Sequence, residues 1–242
     1  MKKTILFIVL SISLLNVSIV YAEVEKLHQI ILDTGATSSE NRIVVEQYKK
    51  AFLNMVFKKM RKSRSQKVVL ISGYSSRVLW YGTARDFKNR KGGLMNVVNK
   101  MDSYYNGVDK SDVLTSDILG VFDAVVKNVK RYKPTEQNNI YIFSPFIDTH
   151  TLGKDSTKPL MQDLIDINKK ELLSKLKEKY KSNDQGKTEL TATVDNYLLL
   201  YWVNQDMVET AETVISALGN IDFKIVDQIE AITELEKYIK DD

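Results

Sequence analysis

The stretch LHQIILD, residues 27–33, begins a chain in which short apolar runs alternate with amphipathic segments. Its mostly apolar residues end on Asp33, and this pattern predicts a buried β-strand with a carboxylate directly at its end. The next segment, residues 39–62, has apolar side chains at helical spacing. A buried strand followed at once by an amphipathic helix is typical of an α/β sheet.

The rest of the chain repeats this alternation of strands and helices. Continuous apolar strands between helices indicate parallel strands that are buried on both faces, and the short turn between strands 67–73 and 75–84 predicts an antiparallel hairpin. We therefore predict a doubly wound α/β fold: a mostly parallel six-stranded sheet with one antiparallel edge strand and helices on both faces. Because such sheets bind ligands at the carboxyl ends of their strands, Asp33 should lie at the binding edge. The other predicted strands are 140–146, 196–204 and 222–226, and the other predicted helices are 86–105, 111–132, 159–181, 205–220 and 227–242.

The first 22 residues have the features of a secretory signal peptide. Lys2 and Lys3 precede an apolar run at residues 4–20, and small residues fit a cleavage site after Ala22. An uncleaved membrane anchor is the alternative, although the run is short for a bilayer and contains three Ser and an Asn. We expect residues 23–242 to form a single domain that is periplasmic or secreted, and not a membrane protein after cleavage.

Composition restricts the possible partners and chemistry. The chain has no cysteine, which excludes disulfides, thiol nucleophiles and cysteine metal sites. Its formal net charge is +4, and loss of the two signal-peptide lysines leaves +2 (4 − 2), which does not favour a nucleic-acid partner. The one basic run, KKMRKSRSQK at residues 58–67, ends a predicted helix, where cations complement the helix dipole. We interpret it as a solvated helix end.

The string ILDTGATS, residues 31–38, resembles the active-site signature of aspartic peptidases. That chemistry needs two aspartates that share a proton, and no second Asp-Thr-Gly or Asp-Ser-Gly occurs in the chain. The segment after the motif also predicts a helix, whereas the peptidase fold is almost wholly β-structure. An aspartic peptidase with Asp33 of the DTGAT motif as its catalyst is therefore an alternative, not the main interpretation.

The whole mature chain is similar in layout to the von Willebrand factor type A (vWA) family. The similarity rests on a first strand that ends in Asp, small hydroxyl residues, a helix, a hairpin and then alternating helices and strands. The metal site of that family combines Asp-x-Ser-x-Ser in the first loop, a Thr before a later helix and an Asp after the fourth strand. The resemblance implies an Mg²⁺ with oxygen ligands and one position left for a carboxylate of a partner.

The first loop keeps only part of that family pattern. Asp33 matches the first aspartate and Thr37 keeps a hydroxyl at the second Ser, whereas Gly35 replaces the first Ser and offers no ligand.

The later ligand positions are also incomplete. Thr115 matches the family's Thr, but Ser144-Pro145 replaces the usual Thr-Asp, so Asp148 is the remaining substitute for the second aspartate. One carboxylate with hydroxyls would hold Mg²⁺ weakly or not at all. The resemblance thus implies a degenerate metal site made of Asp33, Thr37, Thr115 and Asp148.

These observations predict a function as well as a fold. We expect an exported, non-catalytic protein–protein interaction module of a bacterial cell envelope, secretion or surface-attachment system, whose partner is another protein of that system. The bacterial assignment rests on the short Lys-Lys signal peptide alone. Two alternatives remain: a metal-dependent adhesion domain that binds Mg²⁺, and the aspartic peptidase.

Overall fold

The computed structural model describes residues 24–33, 42–89, 92–107, 116–150, 161–179, 194–219 and 221–239. The predicted signal peptide lies outside the described residues. The strands are β1 Lys26–Leu32, β2 Gln66–Ser72, β3 Val78–Thr83, β4 Gln137–Phe143, β5 Asp195–Val203 and β6 Ile221–Asp227. The helices are α1 Arg42–Lys59, α2 Ala84–Phe87, α3 Gly93–Gly107, α4 Ile118–Tyr132, α5 Met161–Lys179, α6 Val208–Ala217 and α7 Gln228–Ile239, with a 3₁₀ turn at Gln205–Met207.

The described strands form one six-stranded sheet in the order β3-β2-β1-β4-β5-β6. β3 is antiparallel to β2, and all other neighbours are parallel. The predicted doubly wound α/β fold, with its antiparallel edge strand, is therefore confirmed. From β1 the chain first adds β2 and β3 on one side of the sheet, and it then adds β4, β5 and β6 on the other side. The direction in which strands are added therefore reverses between β1 and β4. This reversal is where sheets of this class bind ligands.

Both faces of the sheet are covered by helices. Along β1, Leu27 and Ile31 pack on the face that carries α4, α5 and α6, whereas Ile30 and Leu32 pack on the face that carries α1, α3 and α7. Successive side chains of a strand point to opposite faces, so a strand that is buried on both sides is apolar throughout. Burial of each such side chain stabilises the fold by about 1.5–3 kcal/mol. In the part of the chain that the structure describes, no helix is long and apolar enough to span a membrane.

Two of the predicted helices begin or break elsewhere. The predicted helix at 86–105 is two helices, because Thr83 and Asp86 form a capping box at the start of α2 and the chain turns at Gly92, whose φ is 117°. Of the predicted helix at 111–132, residues 111–115 lie outside the described residues, and residues 116 and 117 are not helical, because Asp117 caps α4 and accepts a hydrogen bond from the Gly120 amide.

A row of buried amide side chains crosses the sheet near the amino ends of its strands. Asn128 of α4 donates to Gln29 of β1 (3.0 Å), and Gln29 donates to Asn138 of β4 (3.0 Å). Asn138 in turn donates to Asn196 of β5 (2.9 Å). Buried polar groups need such partners, so this row of amides favours one register between β1, β4 and β5.

Candidate functional site

Asp33 lies directly after β1, at the point where the strand order reverses. Its backbone N–H donates to the Phe143 carbonyl of β4 (2.8 Å), and the Gly73 N–H donates to the Leu32 carbonyl (2.9 Å). The residue is 1% exposed. The predicted position of Asp33 at the end of the first, central strand is confirmed.

Two serine hydroxyls donate hydrogen bonds to the Asp33 carboxylate. Ser144 follows β4 and donates to Oδ2 over 2.7 Å, and Ser116 donates to the same oxygen. Both serines are fully buried. We call Asp33, Ser116 and Ser144 the Asp33 cluster. Because a buried carboxylate is costly without donors, these two hydroxyls offset part of the cost of its burial.

The loop after β4 holds Ser144 in place. The Ser144 N–H donates to the Tyr201 carbonyl (2.9 Å), and the Ser144 hydroxyl accepts from the Phe146 N–H (3.0 Å). Phe146 has a φ of 61°, a left-handed conformation that is strained for a bulky residue. The strand predicted at 140–146 therefore ends at Phe143, since the chain turns to bring Ser144 onto Asp33.

Ser116 is positioned from two sides before α4. Its N–H donates to the Thr149 hydroxyl (2.7 Å), and its carbonyl accepts from the N–H groups of Thr149 and His150 (3.0 and 2.9 Å). The next N–H, of Asp117, donates to the Gly73 carbonyl (2.9 Å). The segment before α4 is thus held by hydrogen bonds to the loops after β2 and β4.

Gly73 approaches the Asp33 side chain too closely for any other residue. A Cβ at Gly73 would lie 2.4 Å from Asp33 Cβ and 2.8 Å from Asp33 Cα. Real Cβ atoms do not approach other carbon atoms so closely, and here the contact includes backbone. Glycine therefore permits β2 and β1 to end side by side with the carboxylate between them.

Asp148, the second predicted carboxylate ligand, lies at the start of α4. It is fully buried, its Oδ2 accepts from the Leu119 N–H (3.2 Å), and its own N–H donates to the Asn168 side chain of α5 (2.8 Å). A carboxylate that accepts from an N–H at the amino end of a helix is also stabilised by the helix dipole. These contacts join the loop after β4 to α4 and α5.

The other two predicted ligands, Thr37 and Thr115, lie outside the described residues, as does Gly35. Within the described ranges, no group of three or more His, Cys, Asp or Glu side chains could hold a metal ion. The Asp33 cluster instead offers one carboxylate and two hydroxyls. A hydroxyl that donates its hydrogen keeps its lone pairs, so this oxygen set suits Mg²⁺ in kind but provides little charge.

Sequence reasoning named neither Ser116 nor Ser144 as a ligand. The available signals were weak: Ser144 directly follows a buried strand, and Ser116 directly precedes the helix cap at Asp117. Both partners of Asp33 are distant in sequence, at separations of 83 and 111 residues.

His28 of β1 is packed in the interior. It is 5% exposed, its Nε2 lies 3.1 Å from Gln66 Oε1, and its ring stacks on Tyr141. Burial lowers the pKa of His28 to about 4; the Gln66 hydrogen bond opposes this shift and the nearby Lys26 charge adds to it.

Comparison with known proteins gives similarities of fold only. No protein-family model matches the chain, and no curated protein matches it. The N-terminal domain of TFIIH p34 is 13% identical with a TM-score of 0.46, over 90% of this chain and 98% of that one. The manganese-loaded TRAP protein of Plasmodium vivax is 13% identical with a TM-score of 0.42, over 90% and 74%. The SpRpn10 VWA domain is 12% identical with a TM-score of 0.43, over 88% and 94%. The similar structures thus include a VWA domain, and at these scores they carry no argument about function.

Proposed function

We propose that this chain is a non-catalytic interaction module that binds another protein at the rim formed by the carboxyl ends of its parallel strands. The observation that carries the proposal is the position of the Asp33 cluster. It lies where the strand order reverses between β1 and β4, and sheets of this class bind their ligands there. The loops after β2 and β4 are tied to the cluster, so the rim is a preorganised surface.

The contacts of the cluster argue against catalysis. Ser116 and Ser144 donate to a carboxylate, whereas a serine nucleophile is usually activated by a neighbouring base such as histidine. Both hydroxyls are fully buried and are already engaged with the same carboxylate oxygen. The peptidase alternative requires an almost wholly β fold, and the described residues form an α/β sheet. We therefore retain the non-catalytic proposal.

We further propose that a divalent cation binds weakly at this rim. Asp33, Ser116 and Ser144 would supply oxygens, together with the predicted Thr37 and Thr115. A single carboxylate offsets little of the dehydration cost of Mg²⁺, so a carboxylate from the partner would complete the site. Asp148 is engaged with α4 and would have to leave the Leu119 N–H before it could take part.

The proposed setting is the bacterial envelope. The Lys-Lys start, apolar run and small residues before Ala22 support export, and a chain without cysteine needs no disulfide to fold there. The partner we propose is a component of an envelope, secretion or surface-attachment system.

Site-specific photo-crosslinking tests the rim. A photoreactive residue replaces Ser75, which is exposed in the turn after β2, and a matched probe replaces Lys62, which is exposed at the amino ends of the strands. Irradiation in envelope extract should give a defined adduct from position 75 and none from position 62. Equal labelling at both positions, or none at 75, would contradict a rim interface.

Calorimetric titration tests the cation separately. Wild type and Asp33→Asn are titrated with Mg²⁺ and Mn²⁺, with and without the partner protein that crosslinking identifies. We expect weak binding that the partner strengthens and that Asp33→Asn abolishes. No heat from wild type in either condition would remove the metal while leaving the protein interface standing.

A further inference from the structure

A cavity lies at the opposite end of the sheet from Asp33. It has a volume of about 430 Å³, within the usual range for small-ligand sites, and opens beside the amino ends of β1, β2 and β4 and the end of α1. We call it the amino-end cavity. None of the contacts of the Asp33 cluster involve its residues, so a ligand in this cavity would be independent of the proposed function.

The floor of the amino-end cavity is polar but uncharged. Four of its lining residues are buried: His28, Gln66, Asn139 and Tyr141. Burial keeps His28 neutral at physiological pH, and Nε2 donates to Gln66, so Nδ1 is an acceptor. The side-chain amides of Gln66 and Asn139 each carry donors and an acceptor, so the floor suits a neutral polar group that both donates and accepts hydrogen bonds.

The lining of the cavity carries three cations, Lys26, Lys59 and Arg61, and two carboxylates, Glu25 and Glu136, a net charge of +1 (3 − 2). Its two carboxylates are engaged: Glu136 pairs with Lys26 (3.9 Å), and Glu25 accepts from the Ser65 hydroxyl (2.6 Å). Lys59 and Arg61 also line the mouth, and neither makes an ion pair with any residue that the structure describes. This net positive charge beside a polar cavity favours an anion.

The end of α1 does not cancel this positive charge. A helix carboxyl end carries partial negative charge on its last carbonyls, which would repel an anion. Here Lys88 Nζ donates to the carbonyls of Phe57 (3.0 Å) and Met60 (2.7 Å). Lys88 therefore satisfies these two helix-end carbonyls, while Lys59 and Arg61 line the cavity.

We infer that the amino-end cavity binds a small phosphate ester. Lys59 and Arg61 hold its phosphate group, and the uncharged polar part of the ester lies on the neutral floor. The planar guanidinium of arginine presents paired donors that match phosphate oxygens. A cavity of about 430 Å³ is much larger than a phosphate ion, and the polar floor suits a sugar better than an apolar group. The basic run at residues 58–67 thus has a ligand-binding role at two of its positions.

NMR of the histidine rings provides a direct readout, because the chain has only two histidines, His28 and His150. The full chain is titrated with glucose 6-phosphate, glucose and inorganic phosphate. Glucose 6-phosphate should shift the His28 signals and leave those of His150 in place. Inorganic phosphate should bind more weakly, and glucose should not bind at a comparable concentration.

Paired substitutions test the cations. Lys59→Gln with Arg61→Gln should weaken glucose 6-phosphate binding at least about tenfold, the loss expected from one charge-assisted contact. The control is Lys62→Gln with Arg64→Gln. It removes the same charge from exposed positions of the same segment that do not line the cavity, and should bind like wild type.

Vesicles containing phosphatidic acid distinguish the source of the phosphate. If the phosphate site binds a lipid headgroup, the protein should sediment with the vesicles, the Lys59→Gln and Arg61→Gln double variant should not, and glucose 6-phosphate should give no response. The reverse result would assign it to a soluble ester. Three outcomes would overturn the inference: no His28 response to millimolar glucose 6-phosphate together with no co-sedimentation, equal binding of glucose, or an equal loss in the control variant.

Discussion

The hydroxyl of Ser144 donates a hydrogen bond to Asp33 Oδ2 over 2.7 Å, and this contact joins the end of β4 to the end of β1. Ser116 donates to the same oxygen from the segment before α4. One buried carboxylate therefore connects three parts of the chain at the rim. The stability of this rim depends on those donors, since a buried charge without them is strongly unfavourable.

Ser144→Ala should lower the free energy of unfolding by about 1–3 kcal/mol, because Asp33 and the Phe146 N–H both lose a buried partner. Urea unfolding measures the change. Ser174→Ala, on the exposed side of α5, is the control and should change stability by less than about 0.5 kcal/mol. Equal stability of the two variants would show that Asp33 does not need the Ser144 hydroxyl.

Gly73→Ala should destabilise the fold by about 1–3 kcal/mol, because the added methyl group would lie 2.4 Å from Asp33 Cβ. Thermal unfolding measures the loss. Ser75→Ala, two residues on in the exposed turn, gives the comparison and should have a much smaller effect. A crystal structure of Gly73→Ala in which Asp33 is unmoved would count against this close contact.

His28 should make stability fall in acid. Burial lowers the folded-state pKa to about 4 from the ordinary value of 6.5, so protons bind more strongly to the unfolded chain at this position. The stabilisation by neutral His28 is complete above about pH 6.5 and is lost as pH falls toward 4, a difference of about 3 kcal/mol. Chemical denaturation from about pH 7 to pH 4 measures it.

The free energy of unfolding of His28→Gln should therefore fall by about 3 kcal/mol less than that of the wild type over that pH range. If the wild type and His28→Gln have parallel stability curves, His28 is not held neutral by the fold.

Gln29→Leu should cost about 2 kcal/mol or more, because Asn128 and Asn138 would each lose a buried partner. Equilibrium unfolding in urea measures the loss. Gln162→Leu, on the exposed face of α5, is the matched control and should be nearly neutral. A stable Gln29→Leu variant would mean that the row of amides across the sheet contributes nothing to stability.

The sheet was predictable because the sequence pattern of each strand and turn is local. Each central strand contains a short apolar run, as in β1 and β4, and runs of that kind between helices leave few possible topologies. The turn between β2 and β3 likewise marks the hairpin directly. The break between α2 and α3 also had a local signal, namely Thr83 and Asp86 in capping-box spacing followed by Gly92.

The contacts of the Asp33 cluster were not predictable in the same way. Ser116 and Ser144 reach Asp33 across 83 and 111 residues, and an isolated serine has no periodic pattern. The start of α4 was missed for a related reason. The chain before Ile118 has helical spacing, but Ser116 is held by the loop that contains Thr149, and this tertiary contact overrides propensity.

β1 connects the two ends of the molecule. His28 lies near one end of this strand and Asp33 just past the other, roughly 17 Å apart along a single rod of about 3.3 Å per residue. Lengthening or shortening the strand by one residue would turn Asp33 and everything beyond it to the opposite face while His28 stayed in place. The loops at either end of the sheet can therefore change independently, whereas a change in the length of β1 alters the orientation of Asp33 relative to His28.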